Sequence, residues 1–211
     1  MMMNEEDLKK GIKQMLHITN NIMHSMQQHE RLLKDMDNIT SDKKFREGLE
    51  DGQLMKDDGV VDKDVRRSKI RFIHDSQIRM AICDYVNTIN ADTLGLDMYP
   101  FQAELQYAEY TAEDRGYFDW HADTNPFKID THNPELVLAK QRKWSASLLL
   151  NSQGEDYVGG EFECLGYNIN PKEYKRGSFI LFPSLIQHRV KPVTKGVRKV
   201  LVCFFHGPRW R

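Results

Sequence analysis

The sequence predicts an α+β protein, mainly β, in which a helical first half packs on a sandwich or barrel of short strands. Three observations lead there. Apolar residues recur at helical spacing from Leu8 to Met36 and again from Ile78 to Ile89. From residue 101 the chain changes to short β-branched or aromatic runs, parted by turn signals such as Asn151-Ser-Gln-Gly154 and Tyr174-Lys-Arg-Gly177. The last of these runs is apolar on both faces, with Val200, Val202 and Phe204 on one and Leu201, Cys203 and Phe205 on the other. A strand of that kind is covered on both sides, here by a barrel interior and by helices.

Taken in order, residues 5 to about 40 read as one helix. Neither Gly nor Pro occurs from Ile12 to Arg46. Leu8, Ile12, Met15, Ile22, Met26, Leu33 and Met36, with Thr19 and His29 in the gaps, step by fours and threes. This heptad-like stripe suits a helix lying on the body or an oligomerisation arm, and it predicts a homodimer lost on deleting residues 1–40. His17, His24 and His29 do not share one helical face and read as solvated. Residues 41–69, charged and dotted with Gly48, Gly52 and Gly59, read as a surface loop. A second helix follows over 75–92. Strands are expected over 101–110, 117–122, 144–150, 160–165, 178–182 and 198–206. The segment 124–141, with two prolines, reads as a loop with some helix.

Composition removes several functions. With 30 Lys and Arg against 31 Asp and Glu in 211 residues, the formal charge is -1, so no electrostatic footprint for nucleic acid or an anionic membrane exists. The longest apolar run, Val200–Phe205, is far short of the ~20 residues of a membrane span. The acidic start, without an apolar run after it, gives no secretory signal. Cys83, Cys164 and Cys203 are odd in number and form no CxxC pair, which suits reduced thiols and a cytoplasmic setting. The dinucleotide, P-loop, zincin and nucleophile-elbow signatures are all missing.

The chemistry lies in the β-rich half. His121 and Asp123 stand at i and i+2 after Tyr117-Phe-Asp-Trp, so on a strand they leave one face with Cα atoms ~6.6 Å apart. His188 follows the apolar run Phe179-Ile-Leu-Phe182 and a proline stop, and Arg198 lies ten residues further on. Two neutral imidazoles and a carboxylate suit non-haem Fe(II), leaving three positions open; zinc accepts the same ligands but favours four-coordination. A buried Arg beside the metal presents a planar fork for a carboxylate-bearing cosubstrate. By alternation from Tyr110, the residues Gln106, Glu104 and Gln102 also face inward. Gln106 is a candidate polar contact for cosubstrate or substrate, and Ser147, on a face with Ser145 and Leu149, a candidate for the cosubstrate.

Tyr110-x6-Tyr117-x3-His121-x-Asp123, then Gly159-Gly160-Glu161, Phe182-Pro183-Ser184-x3-His188-x-Val190 and Gly196-x-Arg198 together resemble the 2-oxoglutarate/Fe(II)-dependent dioxygenases. The resemblance is strongest to the prolyl 4-hydroxylase branch with its PKHD-type hydroxylases. It covers residues 100–206, with a weaker echo at Val65-Arg66-Arg67-Ser68. The resemblance implies a double-stranded β-helix (jelly roll) with supporting helices. The chain then divides into an N-terminal helical extension (1–45), a loop and supporting helix (46–99) and the catalytic core (100–211). His121, Asp123 and His188 would hold Fe(II), and Arg198 and Tyr110 would bind the distal carboxylate of 2-oxoglutarate. With O2, and with ascorbate to rescue oxidised iron, the implied reaction hydroxylates a C–H bond and releases succinate and CO2.

The substrate implied by default is a peptidyl proline; a small metabolite is the alternative. One departure is Val200, where many relatives carry a Ser two residues after the Arg. Asp123 disfavours halogenation, which needs a small residue in place of the carboxylate. The reading from another class, a non-catalytic jelly-roll binding or assembly module, would be favoured by loss of any one of His121, Asp123, His188 and Arg198.

Overall fold

The computed structural model describes residues 17–19, 26–52, 65–124, 140–165 and 174–210. In chain order the elements are β1 (His17–Thr19), α1 (Met26–Ser41), α2 (Lys43–Glu47), β2 (Glu50–Asp51), β3 (Arg66–Arg67), β4 (Lys69–Ile73), α3 (Ser76–Asp92), β5 (Ala103–Thr111) and β6 (Tyr117–His121). There follow β7 (Gln141–Leu149), β8 (Tyr157–Gly159), β9 (Phe162–Cys164), β10 (Phe179–Pro183), β11 (His188–Val190) and β12 (Val193–Gly207).

Strand alternation sorts these residues into two antiparallel sheets and two cores. The larger sheet runs β1-β10-β7-β12-β5-β4-β2, with β8 also paired to β12, and the smaller runs β3-β6-β11-β9. On the outer face of the large sheet, Leu105, Tyr107, Trp144, Leu148, Leu201, Cys203 and Phe205 pack against Leu32, Leu33 and Met36 of α1 and Ile78, Ile82 and Val86 of α3. The intervening residues, among them Ala108, Tyr110, Leu149 and Val200, turn inward. They meet Phe118, Phe162 and Val190 of the small sheet. Cover by helices on one side and by a second sheet on the other is what the two-faced strand demanded.

Helix α3 begins where its sequence says it should. Asp75 caps it by accepting from the Ile78 amide at 2.9 Å. Near its end the buried Asn90 side chain accepts from Trp144 Nε1 and brackets the Leu96 backbone, joining helix, turn and sheet. No helix among the described residues is long and apolar enough to cross a membrane.

The first half departs from the sequence expectation. A single helix over 5–40 is not what forms: His17–Thr19 is a strand, antiparallel to Phe179–Leu181, and the helix begins at Met26. Local spacing cannot register a pairing partner some 160 residues away in the sequence, and Ile18 and Thr19 are β-branched. The described part of the apolar stripe, Leu33 and Met36, is spent on the chain's own core. His29, expected in solvent, is 1% exposed on that same face. Leu8, Ile12, Met15, Ile22 and His24 lie outside the described residues.

The expected loop 41–69 holds α2, β2, β3 and the start of β4, elements too short for periodicity to reveal. Asp42 caps α2 by accepting from the Phe45 amide at 2.8 Å. Of the expected strand 160–165, Phe162–Cys164 forms β9, and a separate short strand, β8, precedes it; Gly159 and Gly160 at the junction are both at positive φ. Of the expected loop 124–141, residues 125–139 lie outside the described residues.

Candidate metal centre and cosubstrate pocket

Three strands converge to make the site. His121 ends β6 and His188 opens β11, and the two are direct partners across the small sheet. Asp123 lies just past β6, where its amide donates to Ser184 O at 3.0 Å. Ser184 is anchored in turn by a 2.8 Å bond between its hydroxyl and that of Ser145 on β7.

The donor atoms of His121, Asp123 and His188 lie within 4.8 Å of one another, the only such group among the described residues. His121 Nε2 stands 3.6 Å from Asp123 Oδ1 and His188 Nε2 3.5 Å from Asp123 Oδ2. Both rings are set by backbone. His121 Nδ1 bonds Asp119 O at 2.7 Å and His188 Nδ1 bonds Ile186 O at 2.9 Å. A carbonyl only accepts, so each Nδ1 carries a proton and each Nε2, the remaining ring nitrogen, faces the carboxylate.

Aromatic packing fixes the ring planes: Phe118 stacks on His121 at 3.5 Å and 13°, and the Phe182 ring meets His188 at 4.6 Å. Burial lowers His188 to about 4, so it is a neutral imidazole at neutral pH, as a ligand must be. Burial alone would raise Asp123. The facing His188 and His121 outweigh that and hold it below the usual carboxylate range.

Next to this cluster lies Arg198, 1% exposed, and its Nε, Nη1 and Nη2 have no hydrogen-bond partner among the described residues. An uncompensated buried guanidinium is costly unless an anion arrives to meet it. Arg198 sits opposite Tyr110 in the β12–β5 register, with Cζ 5.4 Å from that ring. Gly160, at φ +66°, makes room: a Cβ there would stand 2.9 Å from Arg198 Cδ and 3.4 Å from Tyr157 Cε2. That close approach is a physical reason for the paired glycines.

One cavity is lined by His121, Asp123, His188, Arg198, Tyr110, Gln106 and Ser147 together, with walls from Phe118, Phe162, Phe182, Val190 and Val200. The seven residues assigned to metal, cosubstrate or substrate from the sequence therefore meet in one place; of the other two expected to face inward, Glu104 pairs with Arg142 and Gln102 is exposed before β5 begins. A larger groove of about 770 Å³ runs between α1 and α3 on the far side of the large sheet. It holds no ligand cluster, so the small cavity is where metal chemistry fits.

Two neighbours were not singled out from the sequence. Tyr157 has a buried hydroxyl without a hydrogen-bond partner among the described residues, pushed up by burial against the pull of the Arg198 charge. Arg66 reaches the cavity from β3. Its signal was only the Val65-Arg66-Arg67-Ser68 echo; Tyr157 had none beyond preceding the glycine pair.

The donor set and the waiting guanidinium are what an Fe(II) and dicarboxylate site requires, and comparison with known proteins agrees. Residues 105–206 match the family model of the 2OG-Fe(II) oxygenase superfamily. A PKHD-type hydroxylase of Pseudomonas fluorescens is 37% identical over 90 residues, 42% of this chain and 37% of that protein, so the match spans little more than a third of the relative. One of Acidovorax ebreus is 42% identical over 55 residues, 26% of this chain and 24% of that protein.

Among solved structures, a Pseudomonas putida prolyl-4-hydroxylase aligns over 97% of this chain and 100% of its own, at 18% identity and a TM-score of 0.65. A viral collagen prolyl hydroxylase of Paramecium bursaria Chlorella virus-1 aligns over 92% and 96%, at 14% identity and 0.61. At these identities the structures share the fold. Residues 105–206 belong to the 2OG-Fe(II) oxygenase superfamily, and the branch they resemble is that of the prolyl 4-hydroxylases and PKHD-type hydroxylases.

Proposed function

We propose that the protein is an Fe(II)- and 2-oxoglutarate-dependent dioxygenase that hydroxylates a C–H bond and releases succinate and CO2. The observation that carries this reading is one cavity holding both a two-His, one-Asp cluster and a buried guanidinium without a partner among the described residues. His121, Asp123 and His188 would hold the metal. When bound, iron with 2-oxoglutarate and O2 supplies the oxidising chemistry.

The chain's own residues bind, orient and shield. Arg198 forks onto the distal carboxylate of 2-oxoglutarate, with Tyr110 and Tyr157 as hydroxyl donors beside it. Gln106 and Ser147 supply further polar contacts in the cavity. Phe118, Phe162, Phe182 and Val190 wall the cavity and would keep water from a metal held there. The two sheets are read as a double-stranded β-helix. A peptidyl proline is the default substrate, in keeping with the prolyl hydroxylases among the structural neighbours. Ascorbate is the reductant assigned to idle turnover. The three thiols are buried and free, which suits the cytoplasm.

The test is succinate formation from 2-oxoglutarate with Fe(II), ascorbate and O2, without added substrate. Wild type should show slow uncoupled turnover. His188→Ala should abolish it, and Arg198→Ala should restore part of it only at high 2-oxoglutarate. If wild type forms no succinate and 2-oxoglutarate leaves the metal's absorption spectrum unchanged, the reading is wrong.

A further inference from the structure

The cavity contains a second buried guanidinium, and the proposed cosubstrate does not use it. Arg66 is 7% exposed and lines the cavity with the metal cluster. Its Nε donates to Ser68 Oγ at 2.7 Å, its Nη2 donates to Gln106 Oε1 at 3.1 Å, and its Cζ lies 4.6 Å from the Phe118 ring centroid. All three partners are neutral, and no carboxylate among the described residues pairs with it. Other guanidiniums of the chain do find one: Arg46 meets Glu109, Arg142 meets Glu104, Arg176 meets Asp37 and Arg189 meets Glu163. A charge taken out of water without a counter-ion is a cost the fold carries for some purpose.

The head group is also held still. A Cβ at Gly52 would stand 2.7 Å from Arg66 Nε and 2.5 Å from Ser68 Oγ, so only a glycine lets the backbone close on it. Because a guanidinium has no acceptor, the Gln106 amide is oriented with its oxygen toward Arg66, and its NH2 group is left for a ligand. Arg66 and Gln106 thus form a fixed pair of donors. They stand close to the metal cluster, since the Phe118 ring that carries Arg66 also stacks on His121.

The proposed reading leaves one anion missing. Of the two carboxylates of 2-oxoglutarate, Arg198 would take the distal one and the other would go to the centre formed by His121, Asp123 and His188. We infer that Arg66, with Gln106, binds a carboxylate of the substrate that is hydroxylated. This rests on the 2-oxoglutarate reading of the cavity. The carboxylate comes from one of two sources, the α-carboxylate of a free amino acid or the side chain of an acidic residue in a peptide.

The test uses the full chain loaded with Zn(II) in place of Fe(II) and saturated with N-oxalylglycine, an unreactive analogue of 2-oxoglutarate. The readout is the Nε–H resonance of Arg66 in nitrogen-15 NMR, assigned by its loss in Arg66→Lys. Acetate should shift it saturably, and the neutral isostere acetamide should need about tenfold more. Free L-proline and the blocked dipeptide N-acetyl-Asp-Pro-amide then separate the two sources. The true class should shift the resonance at lower concentration than acetate.

No acetate response, or an equal response to acetamide, overturns the inference. So does a response seen only without N-oxalylglycine, which would give Arg66 to the cosubstrate. If neither proline probe betters acetate, Arg66 attracts anions without recognising a substrate, and the inference also falls. Failure of N-oxalylglycine itself to bind wild type, by calorimetry, would instead mark the failure of the underlying reading.

Discussion

Glu109 and Arg198 are buried charges on paired strands of the large sheet, one register step apart and on opposite faces. On the outer face Glu109 accepts from Arg46 and, at 2.5 Å, from Tyr107 Oη, so its charge is answered within the chain. Burial would raise Glu109, but these partners hold it below its usual range. On the inner face Arg198 meets no carboxylate among the described residues, and neither its guanidinium nor the nearby buried Tyr157 hydroxyl has a hydrogen-bond partner among them. One sheet thus divides its work by alternation. Outward residues close a core with helices, and inward residues line a cavity and leave polar groups without partners among the described residues.

The sharpest way to separate the faces is to remove each charge. In Arg198→Met, affinity for N-oxalylglycine should fall about a thousandfold, roughly 4 kcal/mol, while the unfolding free energy of the unliganded chain holds or rises. Calorimetry and urea unfolding read the two quantities. A stability loss as large as the binding loss would make Arg198 a structural residue.

The opposite pattern is expected for Glu109→Gln. Stability should drop by about 2 kcal/mol, tempered because the Arg46 side chain is 41% exposed, with N-oxalylglycine affinity unchanged. A binding defect in that variant would mean the two faces are coupled.

The smallest effect is an acid one. His206, buried beside Glu104 with its Nε2 3.5 Å from the carboxylate, is lowered by burial to about 4 from an ordinary 6.5. Between those values the unfolded chain takes up a proton that the folded chain refuses, so stability falls as pH drops from 6.5 toward 4. His206→Gln should reduce the loss between pH 7 and pH 5 by about 1 kcal/mol. An unchanged slope in urea unfolding at the two pH values would remove His206 from that account.

What could be read from the sequence follows from range. His121 and Asp123 are two residues apart on one strand, and the inward set Tyr110, Gln106 and Ser147 comes from simple alternation. The two-faced run ending in Phe205 announced both of its covers. Elements of two or three residues gave no such signal. Arg66 enters the cavity because a two-residue strand pairs with β6, and Tyr157 reaches Arg198 because a three-residue strand pairs with β12. Neither pairing leaves a periodic trace. The helix expected over 5–40 failed for the same reason at His17–Thr19, where a distant strand outbid local spacing.

That short N-terminal strand also has a bearing on how the protein behaves in solution. His17–Thr19 covers Phe179–Leu181, which would otherwise be the rim of the large sheet. A chain trimmed to begin after Thr19 would bare a row of amides and carbonyls on a segment reading Phe-Ile-Leu, the kind of edge that recruits strands from other molecules. On this account His17–Thr19 guard that edge against aggregation. Soluble yield after such trimming, with and without charged residues placed along β10, would measure how much that guard is worth.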